Sequence, residues 1–256
     1  MPTLSLIDSH CHLDFEIFDS DREKVLQRAK DNNVTDIVIS GTEKIYWNRI
    51  NTLCKKHSQL HACYGLHPYW TDEHKKQDIA ELETYIETNH PVALGECGLD
   101  FRPQQTDKKL QLYFFEAQLA LAESNRLPLV IHSVNATETV IQSIKKFKTL
   151  GGMIHSYSGS SEQARQLIDL GFYISLNAAV TYDNANKIKK VASDIPLTSL
   201  LLETDSPDQA DKKNYGERNE PAYLVSTLEA IASLRNETRE VIAQQTTLNA
   251  KKLFGI

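Results

Sequence analysis

Eight short apolar runs punctuate this chain of 256 residues, and the intervals between them carry helical spacing. The runs are Leu4–Asp8, Asp36–Ser40, His61–Leu66, Val92–Glu96, Leu129–His132, Gly152–His155, Tyr173–Leu176 and Ser199–Glu203. Between them apolar residues recur three or four apart, as at Leu110, Phe114, Ala117 and Leu121 and again at Ala164, Leu167 and Ile168. That is the period of a helix with one buried face. Strands that alternate with helices pair in parallel, because each crossover supplies a covering helix. Eight such units predict an α/β fold, a closed (β/α)8 TIM barrel, with residues 1–256 forming one domain. An open, doubly wound sheet is the rival, but it calls for a G-x-G-x-x-G turn after the first strand. No such turn follows Asp8. Asp19 and Thr106 are placed to cap helices, and Pro221 suits the first turn of another. The polar interval Ser206 to Glu220 lacks a helical pattern and is expected to be a long loop near the active face, in the position of a lid.

In such a barrel, functional groups collect at the C-terminal ends of the strands. The first run leads into His10-Cys11-His12. Alternate side chains of an extended segment share a face, so the two imidazoles point together and Cys11 points away. The fourth run ends in Glu96, the fifth in His132 and the sixth in His155, while the eighth continues into Asp205. Each alone has an ordinary explanation: a solvated histidine, a turn acid, a cap. Together, His10, His12, Glu96, His132, His155 and Asp205 put metal-competent groups at five of eight equivalent positions. Six donors exceed what one catalytic zinc takes from protein. They suit two divalent cations sharing the Glu96 carboxylate, with His10, His12 and Asp205 on one side and His132 and His155 on the other. Mixed imidazole and carboxylate donors admit Zn, Mg, Mn, Co or Ni. A cation pair roughly 3.5–4 Å apart can hold the attacking and leaving oxygens of a phosphoryl displacement.

Charge narrows the substrate. The net charge is −6 and no block of five basic residues occurs, which weighs against broad gripping of duplex nucleic acid. An end or a short strand remains compatible, because cations neutralise the phosphate locally. No apolar run reaches the length of about 18 residues needed to span a membrane. The start, Met1-Pro2-Thr3-Leu4, lacks the pattern of a signal peptide. Cys11, Cys54, Cys63 and Cys97 form no close pair, so a reduced, cytoplasmic protein is expected, with Cys11 and Cys97 packed in the barrel wall. His57, His61, His74 and His90 are expected away from the mouth, and Tyr113, Phe114 and Phe115 in helix packing.

The ordered set His10-Cys11-His12, "GECGLD", "IHS", "HSYSGS" and "ETDSP", spread between Leu6 and Phe254, resembles the TatD family of metal-dependent deoxyribonucleases within the amidohydrolase-like barrels. The resemblance implies a (β/α)8 barrel with two divalent ions that hydrolyses phosphodiester bonds as a 3′→5′ exonuclease or an endonuclease. It places His10, His12, Glu96, His132, His155 and Asp205 on metal-ligand positions. His67, in "YGLHPYW", falls on an active-site histidine that meets substrate. The chain departs from many relatives in carrying Val134 where they have Arg after "HS", and in "SYSGS" where Cys-Phe is commoner. Arg102, after "GLDF", and Arg218, in "GERNEPAYL", are the candidates to supply the missing positive charge.

The expectation is a hydrolase whose catalytic groups are Glu96 as shared carboxylate, Asp205 as acceptor of the water proton and His67 at the phosphate. Its substrate would be DNA ends or single-stranded DNA, otherwise a small phosphoester, with no membrane and no obligate protein partner. Hydrolysis of a lactone or small phosphoester by the same donors is one alternative, and a non-catalytic metal-binding protein is the other.

Overall fold

The computed structural model describes residues 4–105 and 107–256. Eight strands form one sheet in sequence order: β1 (Leu6–Cys11), β2 (Val34–Ser40), β3 (Leu60–Tyr64), β4 (Ala93–Asp100), β5 (Leu129–Val134), β6 (Gly152–Ile154), β7 (Phe172–Leu176) and β8 (Leu200–Leu202). Every neighbouring pair from β1 to β8 is parallel. The sheet curls into the nearly closed barrel expected from the alternation. Its helices are α1 (Arg22–Asp31), α2 (Lys44–Lys56), α3 (Gln77–Asn89), α4 (Lys108–Asn125), α5 (Thr137–Ile144), α6 (Ser161–Asp169), α7 (Asn186–Asp194), α8 (Leu224–Ala232) and α9 (Arg239–Phe254). Among the described residues, no helix is long and apolar enough to cross a membrane.

Two apolar clusters hold these layers. The larger lies between strands and helices, where Phe114, Phe115 and Leu119 of α4 and Leu167 of α6 meet the strand side chains. In the smaller, Ile7, Val38, Cys63, Ala93, Val130, Met153 and Leu201 come from seven different strands and meet Ala250 and Phe254 of α9. Side chains from opposite strands touch only across the barrel axis, so this cluster is the packed floor of the barrel. Polar groups are left to fill the other end.

The margin between β8 and β1 is spanned by specific bonds. The Ser9 hydroxyl donates to the Leu202 carbonyl at 2.7 Å, and the Asp8 carboxylate accepts from the Thr204 amide at 2.9 Å and its hydroxyl at 2.6 Å. The backbone continues with Asp205 N to His10 O at 3.0 Å and His12 N to Ser206 O at 2.8 Å.

Several local expectations shift. β1 begins at Leu6 and runs to Cys11, so His10 lies inside the strand. β4 extends past Glu96 to Asp100, with its pairing to β5 slipping between Leu94 and Cys97. Gly95, at φ of +148°, lies within that slip, and Gly98, at +139°, just beyond it. A Cβ on Gly98 would stand 2.1 Å from the His132 carbonyl oxygen. Asp19 does not cap a helix: α1 starts at Arg22, and the Asp19 carboxylate is taken by the Arg22 and Arg49 guanidinium groups. Thr106 lies outside the described residues, and the cap of α4 is Asp107, whose carboxylate accepts from the Lys109 amide at 2.7 Å. Pro221 opens a short 3-10 turn that runs into α8. Phe114 and Phe115 are buried, but Tyr113 is exposed, with the Lys76 ammonium 5.1 Å from its ring centre.

Two buried glutamines on α4 position the mouth. Gln111 and Gln118 are seven residues apart, two helical turns, and so share one face. Gln118 accepts from Leu66 N at 2.8 Å and donates to Leu66 O at 3.0 Å, immediately before His67. Gln111 does the same for Asp100, at 2.8 and 2.9 Å. Each amide completes backbone groups that the barrel leaves unpaired. Gln118→Leu should therefore cost about 2 kcal/mol, read by urea unfolding, because a buried donor and acceptor lose their partner together.

Candidate metal centre

The strand ends deliver the polar residues to one cavity of about 730 Å³, whose lining includes His12, His67, Glu96, His132, His155 and Asp205. His10 lies beneath it and is fully buried. Glu96, 1% exposed, is the hub. Its Oε1 lies 2.9 Å from His67 Nε2, 2.9 Å from His132 Nδ1 and 2.8 Å from His155 Nε2. Its Oε2 faces the other way, 3.2 Å from His10 Nε2 and 3.6 Å from His12 Nε2. Asp205 Oδ1 closes that side at 3.5 and 3.6 Å from the same two nitrogens. All six donors singled out from the sequence therefore meet at the mouth, and His67 joins them.

The outer contacts fix which ring nitrogens face inward as lone pairs. His12 Nδ1 donates to the Ser40 carbonyl at 2.9 Å, which leaves Nε2 bare in the neutral ring. His132 Nε2 points at Asp100 Oδ2 at 3.3 Å, leaving Nδ1 bare, and Glu203 Oε1 stands 3.6 Å from His155 Nδ1. Carboxylate or carbonyl partners behind ligating histidines orient the ring and raise its basicity. Inside, His10 Nε2 and His12 Nε2 approach to 3.2 Å, and His132 Nδ1 and His155 Nε2 to 3.0 Å. Glu96 Oε2 and His155 Nδ1 are buried with no well-aligned hydrogen bond. Lone pairs of nitrogen and oxygen converging this closely repel unless positive charge lies between them. The donor set thus fits divalent cations, and its triads His10–His12–Glu96, His10–His155–Glu203 and His67–Glu96–His132 have suitable mutual distances.

Without cations, protons occupy the same role. Burial alone lowers the His12 imidazole, but the Asp205 and Glu96 carboxylates overcome it and lift it to about 9. Burial also opposes charge on His155, yet Glu96 and Glu203 hold it well above the ordinary histidine range. Glu96 is held well below the carboxylate range, burial being outweighed by His155, His67 and His10. A cation must displace the His12 proton at any pH below about 9. Cation affinity should therefore rise with pH up to that point, by about tenfold per unit for each proton released, as isothermal titration at pH 6, 7 and 8 would read.

Asp100, Glu203, Asp8 and Ser40 stand behind the gathered side chains and were not singled out from the strand ends. Asp100 lay beyond the apparent end of its strand, and the visible signal was its even spacing from Glu96. Asp8 ties the β1 backbone to the segment before Asp205. His74 also stands nearer than expected, its Nε2 2.9 Å from the His67 carbonyl. Asp100→Asn should weaken cation binding by about 10- to 100-fold while leaving the fold intact, since it changes the orientation and basicity of His132 and loosens the Arg102 pair at the cavity wall. Chelator competition would measure it.

The two arginines part company. Arg102 lines the cavity, its Nε 3.0 and 2.9 Å from the two Asp100 oxygens. Arg218 is not brought to the mouth. It pairs with Asp21 at 2.8 and 2.7 Å, donates to the Ile17 carbonyl and covers the Phe18 ring. The Asp21 carboxylate, far away in sequence, claims it.

Residues 7–255 match the family described as TatD related DNase. The chain is 38% identical to the Bacillus subtilis protein named uncharacterized metal-dependent hydrolase YabD, over 98% of this chain and 99% of that one. It is 32% identical to the 3′-5′ ssDNA/RNA exonuclease TatD of Pantoea ananatis, over 93% and 95%. The crystal structure of YjjV, a TatD homolog from Escherichia coli, superposes with a TM-score of 0.95 at 33% identity, covering 98% of each chain.

Proposed function

Because the chain belongs to the TatD related DNase family and is similar to metal-dependent hydrolases along nearly its whole length, we propose that it hydrolyses phosphodiester bonds at the 3′ ends of single-stranded DNA, using two divalent cations. The observation that carries the reading is the division of Glu96, one oxygen toward His132 and His155 and the other toward His10 and His12. A carboxylate so divided serves two cations better than one. His10, His12, Glu96 and Asp205 would hold the first, and Glu96, His132 and His155 the second. The chemistry that such a pair supplies is water activation near neutral pH and neutralisation of charge on the phosphate.

The protein's own groups do the rest. Asp205 is held down to about 2; burial opposes this, but His12, His155 and His10 outweigh it, so the carboxylate is ionised at pH 7 and suited to take the proton of the attacking water. The Gln209 amide donates to its second oxygen and fixes its orientation. His67 accepts from the Tyr69 amide through Nδ1 at 3.0 Å, so its Nε2–H faces the centre, 2.9 Å from Glu96 Oε1, and is the proton a bound phosphate oxygen would compete for. Burial pushes His67 down to about 4, which makes it a neutral hydrogen-bond donor to a phosphate oxygen at pH 7. The exonuclease name of the Pantoea ananatis relative agrees with this reading.

The test is 3′-labelled single-stranded DNA incubated with protein and Mg, Mn, Zn, Co or Ni in turn. Release of the label as a mononucleotide at the first cleavage is the expected result; no release with any cation would overturn the proposal. A small phosphoester substrate is the second reading. It is favoured by Val134 and the Asp100-bound Arg102 at the mouth, and the same assay with p-nitrophenyl esters judges it.

A further inference from the structure

The wall of the cavity beside His67 is aromatic. Tyr69 and Trp70 follow His67-Pro68 on a short 3-10 turn, and both line the cavity. Tyr69 is 49% exposed. The two rings meet edge to face at 4.8 Å, and Trp70 meets His67 at 5.3 Å. Trp70 is thereby held against the residue assigned to the phosphate, while Tyr69 leaves a face open.

Lysine and arginine side chains around the same cavity are scarce. Among the described residues that line it, Arg102 is the one Lys or Arg side chain, and Asp100 already binds its guanidinium on two oxygens. Asp208 adds negative charge at the rim and Val134 adds none. A strand held along its backbone needs a row of cationic contacts, one for each phosphate engaged. This mouth offers a centre for one phosphate and an aromatic wall next to it.

Resting on the nuclease reading above, we propose that Tyr69 and Trp70 form a nucleobase subsite holding one base beside the central phosphate, and that the cavity grips no further phosphates. The ligand class is a terminal nucleotide, read as one base plus one phosphate, regardless of the length of strand behind it. Stacking on an aromatic face is tolerant of base identity. The subsite therefore selects for having a base, not for which base.

The chain provides its own reporter. It has two tryptophans, of which Trp47 is buried at 2% exposure and Trp70 lines the cavity. Thymidine 5′-monophosphate and deoxyribose 5-phosphate would be titrated into the magnesium-supplemented protein while tryptophan emission is followed. The expected result is quenching by the nucleotide, with affinity about tenfold or more above that of the base-free sugar phosphate. Tyr69→Ala should erase that difference and Tyr69→Phe should retain it. Equal affinity for the two ligands, or an unchanged difference in Y69A, would overturn the subsite.

The reach of the grip is read separately. Competition of thymidine oligomers against the quench should give two- and twelve-residue strands similar affinities, with a log–log salt slope of about −0.7, one phosphate's worth for a single strand. A slope of −3 or steeper would show a strand track and overturn the one-phosphate limit. Val134→Arg should steepen the slope by a further phosphate's worth. Quenching by the nucleotide without hydrolysis of any DNA would refute the nuclease reading while supporting the subsite, so the two fail on different instruments.

Discussion

Glu96→Ala is expected to lower metal-dependent hydrolysis by a thousandfold or more, and to reduce the number of cations bound per chain. Losing a single charge-stabilising group at a catalytic centre typically costs on the order of 100- to 1,000-fold. Here the one side chain serves both halves of the donor set, so the loss should lie at or beyond the upper end. The variant should still fold, because the substitution removes a fully buried carboxylate and opens no apolar void in the packed floor beneath. Circular dichroism with a cation count by mass spectrometry separates the two effects. An E96A protein with normal folding, two bound cations and unimpaired turnover would mean that Glu96 is a bystander.

Gly98→Ala should have the largest effect on stability. Its methyl group would fall 2.1 Å from the His132 carbonyl oxygen and 2.9 Å from that residue's carbon and nitrogen, all backbone atoms of β5. The φ of +139° is itself one that an L side chain rarely adopts. Neither strand can yield without disturbing the barrel, so a loss of about 4 kcal/mol is expected. For a chain of this size that is a fall of about 10 °C in Tm, measurable by differential scanning calorimetry. A G98A variant with the wild-type Tm would show that β4 accommodates the methyl group by a movement absent from this structure.

The barrel was readable from eight apolar runs, and the side chains gathered at its mouth from the residues at or just past their ends, because both follow from periodicity along the chain. Gly98 belongs to the same short motif as Glu96, yet its reason appears only when β5 is placed beside it. Asp100 was hidden in a similar way, since the strand continues past the apolar run that ends at Glu96, through the positive-φ Gly98. Arg218 failed for the opposite reason. Its motif suggested a substrate contact, but Asp21, 197 residues earlier, holds the guanidinium, and no local pattern announces a partner that remote. Asp19 likewise looked like a cap until Arg22 and Arg49 took its carboxylate. The outer partners of the histidines depend on contacts across strands, which is where single-sequence reasoning has least to say.

The margin between β8 and β1 has a consequence for more than architecture. His10 and His12 lie on one bank of that joint and Asp205 on the other, 193 or more residues away along the chain. A ring of strands is only as rigid as its last joint, and this one relies on a few polar bonds where its neighbours have full ladders. Anything that ligates both banks acts as a rivet, making occupancy of the centre and rigidity of the ring a single equilibrium. Breathing of the cation-free protein should begin at that joint.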